Sequence, residues 1–132
     1  LSFSVGIIDR FDSVGVKDKA VSLGEKSILN INKINVKNSS IGLVSKDSSK
    51  LIINNYYHEN VSVTLSSYVK KNEFGSASID INNIFPNQYN LDFISKDSIV
   101  KIKNQRINGI TSSKEISNML YGNLYGLKTK RL

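Results

Sequence analysis

Cysteine is absent from this 132-residue sequence, proline and histidine each occur once, and no apolar run approaches the length of a bilayer span. Without cysteine there is neither a disulfide framework nor a thiolate metal site. Without eighteen consecutive apolar residues there is no transmembrane helix. The opening LSFSVGIID lacks the basic flank and long apolar centre of a signal peptide. It also lacks an initiating methionine, so it reads as an internal cut, and the chain as the C-terminal piece of a longer protein. Acidic residues are in deficit, 11 against 18 basic ones, for a net charge of +7. Even so, no long basic run occurs. The lysines fall one or two at a time among turn residues, where they also discourage edge pairing between strands. Nucleic-acid binding calls for basic residues clustered with stacking aromatics, so neither a nucleic-acid partner nor membrane insertion is expected.

What is present in abundance is repetition. The stretch Ile41 to Asn60, IGLVSKDSSKLIINNYYHEN, is echoed upstream by Lys19 to Asn38 and downstream by Leu91 to Asn108. A fourth copy starts at Val63 with VTLSSY and resumes as SASIDINNIFPN after an insertion around Lys70 to Gly75. Overlaying the copies gives one apolar column of Val21, Leu43, Leu65 and Phe93, and another of Ile31, Ile53, Ile81 and Ile102. The isoleucines are separated by 22, 28 and 21 residues, and the long interval contains the insertion. Each copy holds short β-branched runs such as Leu51-Ile52-Ile53 and Ile79-Asp80-Ile81, bounded by Ser, Asn, Asp, Lys and Gly. A period near 22 leaves no room for a helix within a copy and marks a solenoid. Each copy then forms one coil, and successive strands pair in parallel at about 4.8 Å. The expected fold is all-β: a single-stranded right-handed parallel β-helix of about four to five coils over residues 1–110, followed by a capping helix and tail over 111–132.

Polar columns accompany the apolar ones. Asn32, Asn54 and Asn82 align, continued by Lys103. Asn55, Asn83 and Asn104 align, preceded by Lys33. Stacked asparagines can pass amide hydrogen bonds from coil to coil and tolerate the left-handed backbone of a tight corner. Ser27, Ser49 and Ser98 form one recurrent site, and Ser45, Ser67 and Ser95 another. Glu25, Asp47 and Asp97 fall at equivalent turns beside Lys26, Lys46 and Lys96. Stacked carboxylates could bind Ca²⁺ or act as an acid/base pair on a glycosidic bond. The intervening coil, however, has no matching acid, and each carboxylate has a lysine neighbour. They are expected to be solvated turn charges, with no catalytic residue, metal site or cofactor assigned. His58, among Tyr56, Tyr57 and Glu59, is expected to be a surface histidine.

The insertion, with Tyr68, Glu73 and Phe74, is the most distinctive patch, and insertions in solenoids map to loops on one face. Phe74 is expected to fold back as packing. Pro86 suits a corner or a strand edge. After Gly109 the pattern changes. Ser112 and Glu115 form a capping box, and Ile116, Met119 and Leu120 follow at helical spacing. The prediction is a helix from Ser113 to Tyr121, stopped at Gly122 and lying across the open end of the solenoid, with Tyr125 to Leu132 loosely held.

The segments AVSLGEKS, IGLVSKDSS and KKNEFGSASIDINN, with the closing ISNMLYGNLYG, resemble right-handed parallel β-helix proteins of the pectate-lyase-like superfamily. More narrowly, they are similar to C-terminal β-helix regions of large bacterial surface or envelope proteins. That resemblance implies a cell-surface or secreted location and upstream domains in a parent chain. It also implies an acidic polysaccharide as partner. The resulting expectation is a non-catalytic scaffold or carbohydrate-binding, adhesive module, with Tyr56, Tyr57, Tyr68, Lys71 and Glu73 as binding residues. The alternatives are a fragment of a polysaccharide lyase or glycoside hydrolase whose active coils lie elsewhere, and an assembly piece that docks or self-associates through its open N-terminal rung.

Overall fold

The computed structural model describes residues 4–122 and shows a β-solenoid of about four turns with one short C-terminal helix. The strands are β1 (Val5–Val14), β2 (Lys19–Leu23), β3 (Ile28–Lys46), β4 (Lys50–Tyr68), β5 (Ser78–Phe85), β6 (Ile99–Ile102) and β7 (Gln105–Ile107). Strands β1 and β2 together form the first coil. Strand β3 pairs with both of them, then with β4, and the parallel stack continues through β5 and β6.

The register places like on like. Ile8, Ile31, Ile53, Ile81 and Ile102 are successive partners, so the isoleucine column holds and gains a member in the first coil. Leu29, Leu51, Ile79 and Val100 stack beside them. Leu51, Ile53, Ile79 and Ile81 have no exposed surface, and each such side chain contributes about 1.5–3 kcal/mol by leaving water. A single coil has no second layer to supply that burial, so stability comes from the stack.

The coils bend where the sequence changes phase. In β3 the inward residues are Leu29 and Ile31, then Ile34 and Val36, with Asn32 and Lys33 between them. Two consecutive residues off the core break the alternation and turn the strand. The asparagine ladder runs up this bend: Asn82 donates to Asn54 at 3.0 Å, Asn54 to Asn32 at 3.0 Å, and Asn32 to Asp9 at 3.1 Å. Asp9, which as a carboxylate only accepts, ends the ladder. A second corner of the coils is left-handed, at Gly15, Asn38 and Asn60, with φ of 74°, 51° and 53°. Asn60 donates to Asn38 at 3.0 Å across that corner.

The last coil departs from the simple repeat. Ser67 pairs with Ile94, not with Ser95, and Phe93 lies in a 3-10 turn, Leu91–Phe93. The Ser45–Ser67–Ser95 alignment is therefore corrected by one position, and so is the Val21–Leu43–Leu65–Phe93 column: Ile94 enters the core while Phe93 faces the outer cluster beneath α1. Ser27, Ser49 and Ser98 keep their alignment, because Ile28, Lys50, Ser78 and Ile99 are successive partners. The stack then ends in a hairpin. Lys103 and Asn104, both left-handed, reverse the chain so that β7 pairs antiparallel with β6. Neither residue extends a parallel column.

Helix α1 (Ser113–Tyr121) has the expected limits, and the Ser112 hydroxyl accepts from Glu115 N–H at 3.2 Å. Its position differs from expectation. Ile116 and Leu120 pack on Ile41 and Val44 of β3, Val63 and Tyr68 of β4, and Phe93. The helix lies along the flank across successive coils, not over the open end, because that flank carries its own outward apolar patch. The expected loose tail lies outside the described residues. No helix among the described residues is long and apolar enough to cross a membrane.

Close packing predicts two mutant outcomes. A Cβ on Gly42 would overlap the Tyr56 hydroxyl and approach the Thr64 carbonyl to 2.6 Å. Gly42→Ala should cost roughly 2–3 kcal/mol in chemical denaturation. Tyr56→Phe, which leaves the buried Thr64 carbonyl without its 2.7 Å donor, should cost about 1–2 kcal/mol. Wild-type midpoints for both variants would contradict this packing.

Candidate functional site

Only some of the residues expected to bind are available to a ligand. Tyr56 and Tyr68 have no exposed surface, which corrects their placement on a binding face. Tyr56 turns inward because its ring occupies the core column between Ile34 and Ile84. Tyr68 is covered by α1. Burial pushes the hydroxyls of both well above the ordinary tyrosine range. Tyr57 is partly exposed and stacks on Phe85 with ring centres 4.9 Å apart, and the Lys33 ammonium lies 5.2 Å from the Tyr57 ring. Lys71 and Glu73 are exposed on the inserted loop, and Lys71 pairs with Glu25. Phe74 of that loop is half-buried. His58 is likewise half-buried, with Nε2 2.8 Å from the Pro86 carbonyl. Burial lowers its pKa and the carbonyl partly opposes that, so its ring is neutral at pH 7.

The turn carboxylates do not form one set. Glu25 and Asp47 occupy matching turns, with left-handed pairs at Glu25-Lys26 and Asp47-Ser48. The one-residue slip at Ile94 moves Asp97 to the place of Lys26 and Ser48. Asp97 is exposed and accepts from the hydroxyls of Ser95 and Ser113, which holds the start of α1. Asp47 is fully buried, contrary to the expectation of a solvated turn charge. Its Oδ1 accepts from the backbone N–H groups of Lys70 and Lys71, each at 2.8 Å. Asp47 is buried because it anchors the inserted loop. Among the described residues no three His, Asp or Glu side chains gather in a way that could hold a metal ion.

Three lysines converge where α1 ends. The Lys46 ammonium donates to the Tyr121 hydroxyl at 3.1 Å, and Tyr68 donates to the same oxygen at 3.4 Å. The ammoniums of Lys19, Lys46 and Lys70 lie 4.7, 5.8 and 4.1 Å from the centre of the Tyr121 ring. Lys19 pairs with Asp18 at 3.0 Å, whereas no described carboxylate lies within ion-pair distance of Lys46 or Lys70. Burial of Tyr121 favours its neutral form. The hydrogen bonds from Tyr68 and Lys46 and the charges of Lys46 and Lys19 outweigh that and bring its pKa to about 8. Sequence columns could not show this cluster. Lys19 is in register with Ile41, and Lys46 with Tyr68. Lys70 belongs to the insertion, and Tyr121 arrives on the returning helix. The chain matches no protein-family model, no curated protein and no solved structure.

A pH titration followed by phenolate absorbance should show one tyrosine ionising at about 8. Tyr121→Phe should remove that phase, and Lys46→Met should move it upward. Tyr121 loses its proton more readily in the folded than in the unfolded chain. Its contribution to stability therefore grows from about pH 8 towards the ordinary tyrosine value of 10.0 and is lost again as pH falls through 8. Identical titrations for wild type and Tyr121→Phe would contradict the arrangement.

Proposed function

We propose that this solenoid is a non-catalytic scaffold that binds an acidic polysaccharide along its lysine flank. The observation that carries the reading is the convergence of Lys19, Lys46 and Lys70 on Tyr121, two of them with no described acidic partner. Gathered cations held on a rigid stack raise the local concentration of a polyanion and complement its charge. The +7 net charge acts in the same direction. The resemblance to pectate-lyase-like β-helices, many of which bind or cleave acidic polysaccharides, supports a glycan over other anions, and a bacterial surface or secreted setting would suit it. The Tyr57–Phe85 pair offers a second contact, since an aromatic face can pack against a sugar ring. The carboxylates that an enzyme reading would recruit are engaged structurally: Asp47 holds the loop and Asp97 holds the helix.

Titration calorimetry with alginate should show binding that weakens steeply with salt. The double variant Lys46→Gln/Lys70→Gln should bind about tenfold more weakly and retain its melting temperature. Equal affinity for alginate and neutral dextran would overturn the binding reading. Accumulation of new reducing ends or unsaturated products would overturn the non-catalytic one.

A second reading, an assembly piece that self-associates, draws on strand β1. It pairs with β3 on one side only among the described residues, and Val5, Ile7 and Val14 are 77, 86 and 68% exposed. A strand with one free side is a template for further pairing. Sedimentation should then show a concentration-dependent dimer that Ile7→Lys abolishes. A monomer at all concentrations would eliminate this reading.

A further inference from the structure

We propose that the chain dimerises head to head through β1, paired antiparallel with β1 of a second copy so that Asp9 of each lies opposite Arg10 of the other. This deepens the self-association reading and rests on it. The first coil shows what such a partner would cover. Ile8 and Phe11 stand in register with Ile31 and Ile34, and Val21 with Leu43. The second-coil members are buried, yet Ile8, Phe11 and Val21 are only half-buried. The open face of the first coil is therefore apolar core left partly in water.

Strand β1 is self-complementary. Gly6 and Ile8 face inward before the bend, Phe11 and Ser13 after it, and the remaining residues face out. That order reads the same from either end. A two-fold axis through the bend between Asp9 and Arg10 sets inward on inward, Ile8 opposite Phe11, and outward on outward, Val5 opposite Val14. The backbone agrees. Ile28 N–H donates to the Ser4 carbonyl and Gly15 N–H to the Lys37 carbonyl. Backbone direction alternates along each arm, so the outward residues are those whose N–H and C=O point away from β3. In this register they meet one another as hydrogen-bonded pairs. A slip of one residue sets Asp9 opposite Phe11 or opposite itself.

Polar groups favour the same register. Asn32 donates to Asp9 and Asn35 to Asp12. Carboxylates only accept, so neither column is passed on to a further parallel coil, whereas a second copy brings a guanidinium. Arg10 Nε donates to Asp12 at 2.9 Å, and its other N–H groups serve Asp9 across the axis. Ile7 lies opposite Asp12, whose two oxygens Arg10 and Asn35 already hold, so a lysine in its place would face Arg10. Head-to-tail growth would set the 10 residues of β1 against the 3 of β7.

The chain has no cysteine, so introduced thiols report the register directly. Val5 and the second copy's Val14 would have Cα atoms about 5.5 Å apart, within disulfide range. Val5→Cys and Val14→Cys chains, mixed and oxidised, should form a covalent heterodimer, and neither alone should cross-link. In sedimentation, Asp9→Arg and Arg10→Asp should each dimerise about tenfold more weakly than wild type, because like charges then oppose each other twice. Their equimolar mixture should recover wild-type affinity. A wild-type dimer without the Val5–Val14 cross-link overturns this register and leaves self-association standing. A mixture no tighter than its two components does the same. A monomer at every concentration overturns both and leaves the edge to a coil from elsewhere. Should a charge variant not fold, the cross-link alone decides.

Discussion

Parallel pairing in register between successive coils is the constraint on which everything else depends. Each coil leaves Leu or Ile side chains that only the next coil can cover, as Ile31 is covered by Ile53 and Ile53 by Ile81. A slip of one residue would turn those columns outward. The asparagine ladders and the left-handed corners at Asn38 and Asn60 are in register for the same reason: a corner that bends differently in one coil would misplace every strand after it. Polar stacking then adds direction to the apolar stacking, because each amide donates towards the N-terminal coil until the carboxylate of Asp9 ends the series.

The same regularity makes a departure from it conspicuous. The inserted loop interrupts the stack between β4 and β5, and it is tied down by a buried carboxylate instead of a ladder. The helix returns along the flank and covers Tyr68. Together these two departures bring Lys70 and Tyr121 to a place where Lys19 and Lys46 already project. Three ammoniums around one ring repel one another, and the Tyr121 hydroxyl relieves that only in part. The result is fixed positive charge gathered around one ring, a feature that neither the loop nor the helix needs for its own folding.

The solenoid was legible in the sequence because its cause is periodic. A side chain that must stack on its equivalent leaves a column, and Ile31, Ile53, Ile81 and Ile102 could be aligned without coordinates. The helix limits were legible as well, since a capping box and helical apolar spacing are local signals. The final coil was misaligned by one position because the 3-10 turn at Leu91–Phe93 absorbs a residue without leaving a gap in the pattern. Tyr56 and Tyr68 were assigned to a binding face because aromatic residues in a polar context resemble a recognition surface. One fills a core column, and the other is covered by a helix more than forty residues away.

Sequence alone thus determined the repeat, its period, the strand columns of all but the last coil, the insertion and the helix, all of which follow from short-range pattern or from like-on-like stacking. Tertiary structure alone decided that the helix lies on the flank, that Asp47 is buried, and that Lys19, Lys46 and Lys70 meet at Tyr121. Those features join residues from different coils, an insertion and a returning helix. Their proximity is set by how separate elements pack, and packing between elements that share no period leaves no periodic trace.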